Sequence, residues 1–323
     1  HCTTLVEKGQ MAVEARLFEV RKERELILAK RYRGQFEVSR TIAHRISDLV
    51  VEKLTGVKGV AETRFAFISS RDGAKEVYIM DYDGWNQRRI TEHRSIDISP
   101  DWSPDNEMIA YTSYAKGTPA LYLMSKYGGA NTALLADGEL YITPAWSPDG
   151  GKIAFTSSMG GDTEIFIIRR DGSGLRRLTV SPGIDTTPAW SPTGREIAFT
   201  SERSGRPQIW LMDAEGLNPR QLTRVGPFND SAAWSPDGSR IAFISRIGQH
   251  HDIMLYDLQT NKIARLTKNA GNNETPSWSS DGRQIVFDSD RIGTWQVFVM
   301  NADGTNVRQL TRKGSNTSPD WSN

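Results

Sequence analysis

Thr143-Pro144-Ala145-Trp146-Ser147-Pro148-Asp149-Gly150 is one of six near-copies of a single phrase in this chain. Ser99-Pro100-Asp101-Trp102-Ser103-Pro104-Asp105 precedes it. Thr187-Pro188-Ala189-Trp190, Ala232-Ala233-Trp234, Pro276-Ser277-Trp278 and Ser318-Pro319-Asp320-Trp321 follow, the first three running on into a Ser-Pro or Ser-Ser turn. The six tryptophans are separated by 44, 44, 44, 44 and 43 residues. A fixed period of that length marks a modular β architecture, above all a propeller of four-stranded blades.

Residues 142–179 serve as the type unit. Ile142–Trp146 is a short strand, and Ser147–Gly150 is a turn in which proline fixes φ, aspartate caps, and glycine accepts a positive φ. Ile153–Ser157 is β-branched and aromatic, hence a second strand. Glu164–Arg169 is apolar between charged ends, as befits a strand sandwiched between neighbouring blades. After Arg170–Gly172, Leu175–Thr179 alternates like a half-exposed outer strand. Equivalent second strands recur six times, from Phe65–Ser69 to Ile285–Ser289, and fourth strands end in Leu-Thr or Ile-Thr, with Leu134-Leu135 the divergent case.

The phase of the array predicts how it closes. The N-terminal unit has no Trp strand before it, whereas Thr317–Trp321 is a Trp strand with nothing after it. Pairing Thr317–Trp321 with Phe65–Ser69 completes one blade and leaves only short edges. The expected fold is mainly β: a six-bladed β-propeller over 61–323, preceded over 1–60 by the C-terminal remnant of a small α/β domain.

In that leader, Met11–Val20 and Glu25–Tyr32 read as a hairpin around the charged Arg21–Arg24. Ile42, Ile46, Leu49 and Val50 share one helical face, with Arg40, Arg45 and Lys53 turned to solvent. Ser39 is the expected N-cap and Gly56 the stop. Residues 1–64 carry 13 basic and 9 acidic side chains, the remainder 27 and 30. Neither balance suits a polyanion binder, so no nucleic-acid partner is expected. No apolar run approaches the ~18 residues that span a bilayer, so no direct membrane insertion is expected. The single cysteine, Cys2, cannot form an internal disulfide. The chain begins at His1 without an apolar leader, which reads as a processed or truncated product whose signal peptide is not in this chain.

Ala43-His44-Arg45-Ile46-Ser47-Asp48, Glu52-Lys53-Leu54-Thr55-Gly56, Thr63-Arg64-Phe65-Ala66-Phe67 and Asp81-Tyr82-Asp83-Gly84, followed by the Ser-Pro-Asp-Trp-Ser-Pro-Asp phrase, resemble the TolB family from about Leu5 to Trp321. That family is the periplasmic component of the Tol–Pal envelope system of Gram-negative bacteria. The resemblance implies a larger N-terminal domain, of which residues 1–60 match the last part. It implies binding of the peptidoglycan-associated lipoprotein Pal at one mouth of the propeller, a periplasmic location, and a role in outer-membrane integrity and constriction during division. It also implies a part in colicin import. The family's N-terminal segment, which engages the inner-membrane protein TolA, has no counterpart here, so TolA is a partner only where that segment is present. A monomer is expected.

The loops entering the Trp strands carry the candidate site. Asp97, Asp185, Asp230 and Glu274, with Glu139 nearby, occupy loops that converge on the propeller axis, and Thr186 and Thr187 accompany them. A convergent carboxylate set attracts cationic peptide groups or a hard cation such as Ca²⁺. The same residues would serve equally as a solvated polar rim. Thr186 matches a contact position of the resembled family, but Leu140 stands where the preceding loop has histidine in that family. No other metal or cofactor is expected.

The six tryptophans recur at one structural position and read as packing between blades. His250-His251-Asp252 falls in a loop without a partner at ligand spacing. His93 lies in a blade connection with no evident acid partner. No Gly-x-Ser-x-Gly elbow is present, so no catalytic residues are assigned. The leading expectation is a non-catalytic protein-binding scaffold. The alternative is the propeller gate of a prolyl-oligopeptidase-like serine peptidase, which needs a separate hydrolase domain. A propeller enzyme with an acid/base set on its axis is a third reading.

Overall fold

The computed structural model describes residues 2–7, 10–19 and 25–323. It divides into two units: one runs to Thr63 and takes in Asp81–Asp83, the other comprises Arg64–Met80 and Gly84–Asn323.

The smaller unit holds an antiparallel sheet of three strands, β1 (Cys2–Glu7), β2 (Gln10–Glu19) and β3 (Glu25–Gly34), in sequential order. The hairpin of β2 and β3 forms as expected, with Met11 opposite Gly34 and Glu19 opposite Glu25. Its tip, Arg21–Arg24, lies outside the described residues. β1 was not foreseen: it adds to the free edge of β2, with Cys2 opposite Ala15 and Val6 opposite Met11. Helix α1 (Ser39–Thr55) sets Ile42 into a buried cluster with Met11 and Val13, and Ile46 packs against it. Gly56 ends the helix in the left-handed region at φ 75°. Ser39 is the first helical residue, not the cap, because a 3₁₀ turn over Phe36–Val38 leads directly into the helix. Arg40 is half-buried, not turned to solvent as expected. Asp48 is also buried; it accepts the main-chain N–H groups of Ala61 at 2.7 Å and Glu62 at 3.0 Å, fixing the segment after the helix.

The larger unit contains six four-stranded antiparallel sheets among the described residues, which is the six-bladed ring. In the blade Tyr141–Trp146, Lys152–Ser157, Glu164–Arg169 and Arg176–Arg177, burial follows composition: the second and third strands are buried on both faces and the fourth is largely exposed. The ring closes by pairing Asn316–Trp321 with Arg64–Ser69, Asn316 opposite Ser69 and Trp321 opposite Phe65. Trp102 packs with Ile68, Val77 and Ile79 of the blade before it, so the tryptophans do seal blade against blade.

The Leu-Thr ending of the outer strand has a local reason. Thr179 Oγ1 accepts the N–H of Ile165 at 2.9 Å, and Thr223, Thr267 and Thr311 repeat the bond to Ile209, Ile253 and Val297. The hydroxyl thereby extends the ladder by one rung where main-chain pairing ends. One expectation about loops fails. His250-His251-Asp252 belongs to the strand His250–Asp257, paired with Arg240–Ile247, so this hairpin is longer and its loop shorter than in the other blades.

Candidate partner-binding mouth

Every Trp strand breaks register with its neighbour midway, for example between Ile142 and Ala145 and between Thr186 and Ala189. Within the break, one non-glycine residue takes a left-handed backbone: Ser99, Thr143, Thr187, Ser231, Thr275 and Ser318, with φ between 43° and 55°. Each such residue costs on the order of 1 kcal/mol, so a sixfold recurrence reflects a fold that over-determines the bulge. These six hydroxyl residues and the residues after them, five prolines and Ala232, line an axial cavity of about 160 Å³. Hydroxyls also link neighbouring blades: Thr187 Oγ1 donates to Asp230 Oδ1 at 2.8 Å, and Thr200 Oγ1 donates to the same oxygen at 2.6 Å.

The predicted carboxylates do not form a ring around this mouth. Asp97 and Asp185 are fully buried. Each is the first residue of its strand rather than part of the loop, paired opposite Ser113 or Ser201, and its side chain points into the interface with the preceding blade. Asp185 bonds Arg203 at 2.6 Å and accepts from Ser181 at 3.2 Å; burial nonetheless pushes its carboxyl above the ordinary range. Asp230 is engaged by the two threonines, and Glu274 pairs with His251 Nδ1 at 2.7 Å. Thr186 and Thr187 are half-buried, Thr187 on the axial cavity. Glu139 is exposed. The four acids therefore supply no common centre for Ca²⁺. His251 has an acid partner after all, and its ring stacks on Phe228 with centroids 5.3 Å apart.

What this mouth presents instead is apolar. The residue immediately before the Trp strand is Ile96, Leu140, Ile184 and Phe228 in four consecutive blades, then Asn272 and Ser315. Ile96 and Ile184 are 47% and 45% exposed, and Val180 and Val225 in the preceding loops are 82% and 55% exposed. The carbonyls of Ile96, Ile184 and Phe228 accept main-chain N–H groups of Tyr114, Glu202 and Arg246, at or just beyond the end of the second strand, at 2.9–3.1 Å, which fixes the backbone beneath them. The signal was present in the sequence, but it stands one position before the residues that attract attention by charge.

The opposite mouth is a wider funnel of about 380 Å³, lined by the six tryptophans and the Ser-Pro turns. Asp101 and Asp320 reach its axis at the position before tryptophan, where three blades carry Ala145, Ala189 and Ala233. Burial holds both carboxyls above the ordinary range, Asp320 at about 6, and the charge of Asp320 pushes Asp101 further up. The Asp-Trp dipeptide at 101–102 and 320–321, against Ala-Trp in three blades and Ser277-Trp278 in the fourth, is the readable trace of this pair.

Comparison with known proteins agrees with this architecture. A family model described as the TolB beta propeller domain matches residues 51–264 and 227–323. A Tol-Pal system protein TolB of Desulfosudis oleivorans is 49% identical over 108 residues, 33% of this chain and 24% of its own. The Tol-Pal system protein TolB of Geobacter metallireducens is 46% identical over 99 residues, 31% of this chain and 23% of its own. These alignments thus span about a quarter of the curated relatives' length. The crystal structure of TolB from Acinetobacter baumannii superposes with a TM-score of 0.88 at 27% identity, covering 99% of this chain and 82% of that one. No helix among the described residues is long and apolar enough to cross a membrane.

Proposed function

The chain belongs to the TolB β-propeller family, and on that premise we propose that it is a non-catalytic scaffold of a Tol–Pal system in the periplasm. Its partner is a Pal-type lipoprotein, docked on the mouth formed by the loops before the Trp strands. The observation that supports this reading is the arc of Ile96, Leu140, Ile184 and Phe228 at one equivalent position in four consecutive blades. Exposed Ile96 and Ile184 with half-buried Leu140 and Phe228, beside hydroxyls and engaged carboxylates, suit a protein surface better than a small substrate. Within the set named from sequence, Thr186, Thr187, Asp230 and Glu274 frame the contact. Asp97 and Asp185 act only by holding the strands beneath it. Outer-membrane integrity, constriction during division and colicin import follow in this proposal from occupancy of the same mouth.

The test is calorimetric titration of the parent and of the Ile96→Lys/Ile184→Lys variant with the soluble domain of a Pal-type lipoprotein. The two side chains lie in a docked apolar arc, so affinity should fall at least tenfold while the melting temperature holds, since both are half exposed already. Parent-like affinity in the variant, or no binding by the parent, overturns the proposal.

A further inference from the structure

Five of the six blade interfaces bury a short polar chain built from equivalent positions: a residue at the start of a third strand, the threonine after the fourth, and the first residue of the next Trp strand; the remaining interface has Ala120 and Tyr141 there. Gln208, Thr223 and Asn229 form one such chain, and Gln296, Thr311 and Asn316 another, both from neutral side chains. Glu164, Thr179 and Asp185 bring two carboxylates, and two arginines answer them: Arg177 at 2.7 Å from Glu164 and Arg203 at 2.6 Å from Asp185. Asp252 is likewise held by Arg265 at 2.6 Å.

The interface of Glu76, Thr91 and Asp97 departs from this rule. Glu76 is 2% and Asp97 0% exposed. Arg89, at the position of Arg177, turns instead to Glu92 at 3.3 Å, and Ala115 stands at the position of Arg203. Two buried carboxylates thus share the neighbourhood with one imidazole, His93, whose Nδ1 lies 3.3 Å from Asp97 Oδ1. Asp97 Oδ2 has no hydrogen-bond partner among the described residues. Asp185 also leaves one oxygen unpartnered, but its other oxygen carries an arginine. Removing a carboxylate from water without an opposing charge costs several kcal/mol, so this interface lacks a positive charge that its counterparts possess.

We propose that Glu76, His93 and Asp97 bind a divalent first-row transition-metal ion. One ligand atom from each lies within 4.8 Å of the others. Donors around one ion at ~2.1 Å stand up to ~4.2 Å apart, so about half an ångström of closure completes the site. One imidazole and two carboxylates suit Zn²⁺ or Mn²⁺ better than Ca²⁺, which takes oxygen ligands. The supporting shell is in place. Glu76 is aimed by the Thr91 hydroxyl at 2.6 Å and by the main-chain N–H groups of Arg94 at 2.7 Å and His93 at 3.3 Å. Asn131 Nδ2 contacts His93 Nε2 and also donates to Tyr111 Oη at 3.2 Å. With Nδ1 on the ion, Nε2 carries the proton and the Asn131 amide turns its oxygen toward it, the usual second-shell arrangement. His93, Thr91 and Asn131 also line a pocket of about 520 Å³ beside the site, so the imidazole is reached from solvent while the two carboxylates lie behind it.

The experiment uses the full chain, stripped with a chelator and titrated with Zn²⁺ and separately with Mn²⁺, by calorimetry and thermal melting. One ion should bind per chain and raise the melting temperature. The Glu76→Gln/Asp97→Asn variant should fold, because glutamine and asparagine already occupy these positions at Gln208, Gln296, Asn229 and Asn316, and it should bind at least tenfold more weakly. His93→Gln should lose affinity comparably and serves if the double variant fails to fold. A parent that binds neither ion at millimolar concentration overturns the proposal. So does parent-like binding in these variants, which would place the ion elsewhere, at His251 and Glu274 or at the axial aspartates.

Discussion

Asp320 Oδ2 accepts the main-chain N–H of Trp102 at 2.8 Å, joining the closing blade to the blade that follows it around the axis. One blade further on, Asp101 Oδ2 accepts the N–H of Trp146 at 2.7 Å. Ser277 Oγ donates to Asp320 Oδ1 at 2.8 Å from the other side, so four successive blades are laced by side chains at the position before tryptophan. Three other blades hold alanine there, and the geometry therefore separates what the fold requires from what this chain adds.

Substituting Asp320→Ala should have an effect that depends on pH. The folded-state carboxyl is raised to about 6 by burial, so the folded protein holds a proton that the unfolded chain releases near pH 4. The sign follows: the protonated group's stabilisation is fully present below pH 4 and is lost as pH rises through 6. The variant also leaves the Trp102 N–H without its acceptor, a cost of about 1–3 kcal/mol. It should be clearly less stable than the parent at pH 4.5 and close to it at pH 8. Urea unfolding at the two values measures this, and a pH-independent difference refutes it.

Asp288→Thr should stabilise the protein above neutrality. Asp288 is buried, which raises its carboxyl to about 7, the nearby Glu274 charge adding to the effect and the Thr275 hydroxyl opposing it. The parent thus loses stability as pH climbs from about 4 through 7, by on the order of a few kcal/mol. Threonine already occupies this position in other blades, where Thr156 meets Thr143 at 2.8 Å and Thr200 meets Thr187 at 2.9 Å. The variant should flatten the pH profile and melt higher than the parent at pH 8. An equal melting temperature there would show that the carboxylate is not ionised in the fold.

The repeat made the ring legible because a 44-residue period and a recurrent Trp-Ser-Pro turn each report local geometry that every blade must satisfy. Ring closure was legible from phase alone. The site is less legible, since charge in a sequence does not by itself report exposure. Asp97 and Asp185 look like loop residues, but one more ladder rung draws each into a strand and turns it inward. The apolar residue preceding them carries no chemical signature when read singly and gains meaning only when four blades are superposed. β1 escaped notice because an edge strand with Leu5 and Val6 exposed lacks the buried alternation that identifies its neighbours.

Gly304→Ala tests how closely the outer turns pack. Gly304 has φ 86°, and a Cβ there would lie 2.7 Å from the carbonyl oxygen of Leu266 in the preceding blade. A left-handed alanine costs about 1 kcal/mol, and the clash with a fixed carbonyl adds to it. A loss of about 2 kcal/mol or more is expected by denaturant titration. Gly73→Ala provides the comparison: at φ 103° its Cβ would meet nothing within 4 Å. Equal losses in the two variants would show that backbone strain alone, and not the contact with Leu266, sets the cost.

Removing the closing strand should weaken the whole ring rather than one edge. Trp321 packs edge-on against Phe65 with centroids 4.6 Å apart, and Ser322 Oγ accepts the N–H of Arg64 at 2.9 Å. Arg71 reaches Asn316 Oδ1 at 2.9 Å, so the interaction extends from one end of the strand to the other. Trp321→Ala leaves a cavity beside a fully buried phenylalanine and should cost about 3–5 kcal/mol. Deleting 316–323 adds the loss of every rung to Arg64–Ser69 and exposes a strand edge built to be paired. The truncated protein should melt many degrees lower and associate on warming, which differential scanning calorimetry combined with light scattering would detect. Supplying residues 316–323 as a free peptide should restore part of the lost melting temperature, because the vacated edge is otherwise intact. An unchanged melting temperature in the truncated protein would mean that the ring does not depend on this pairing.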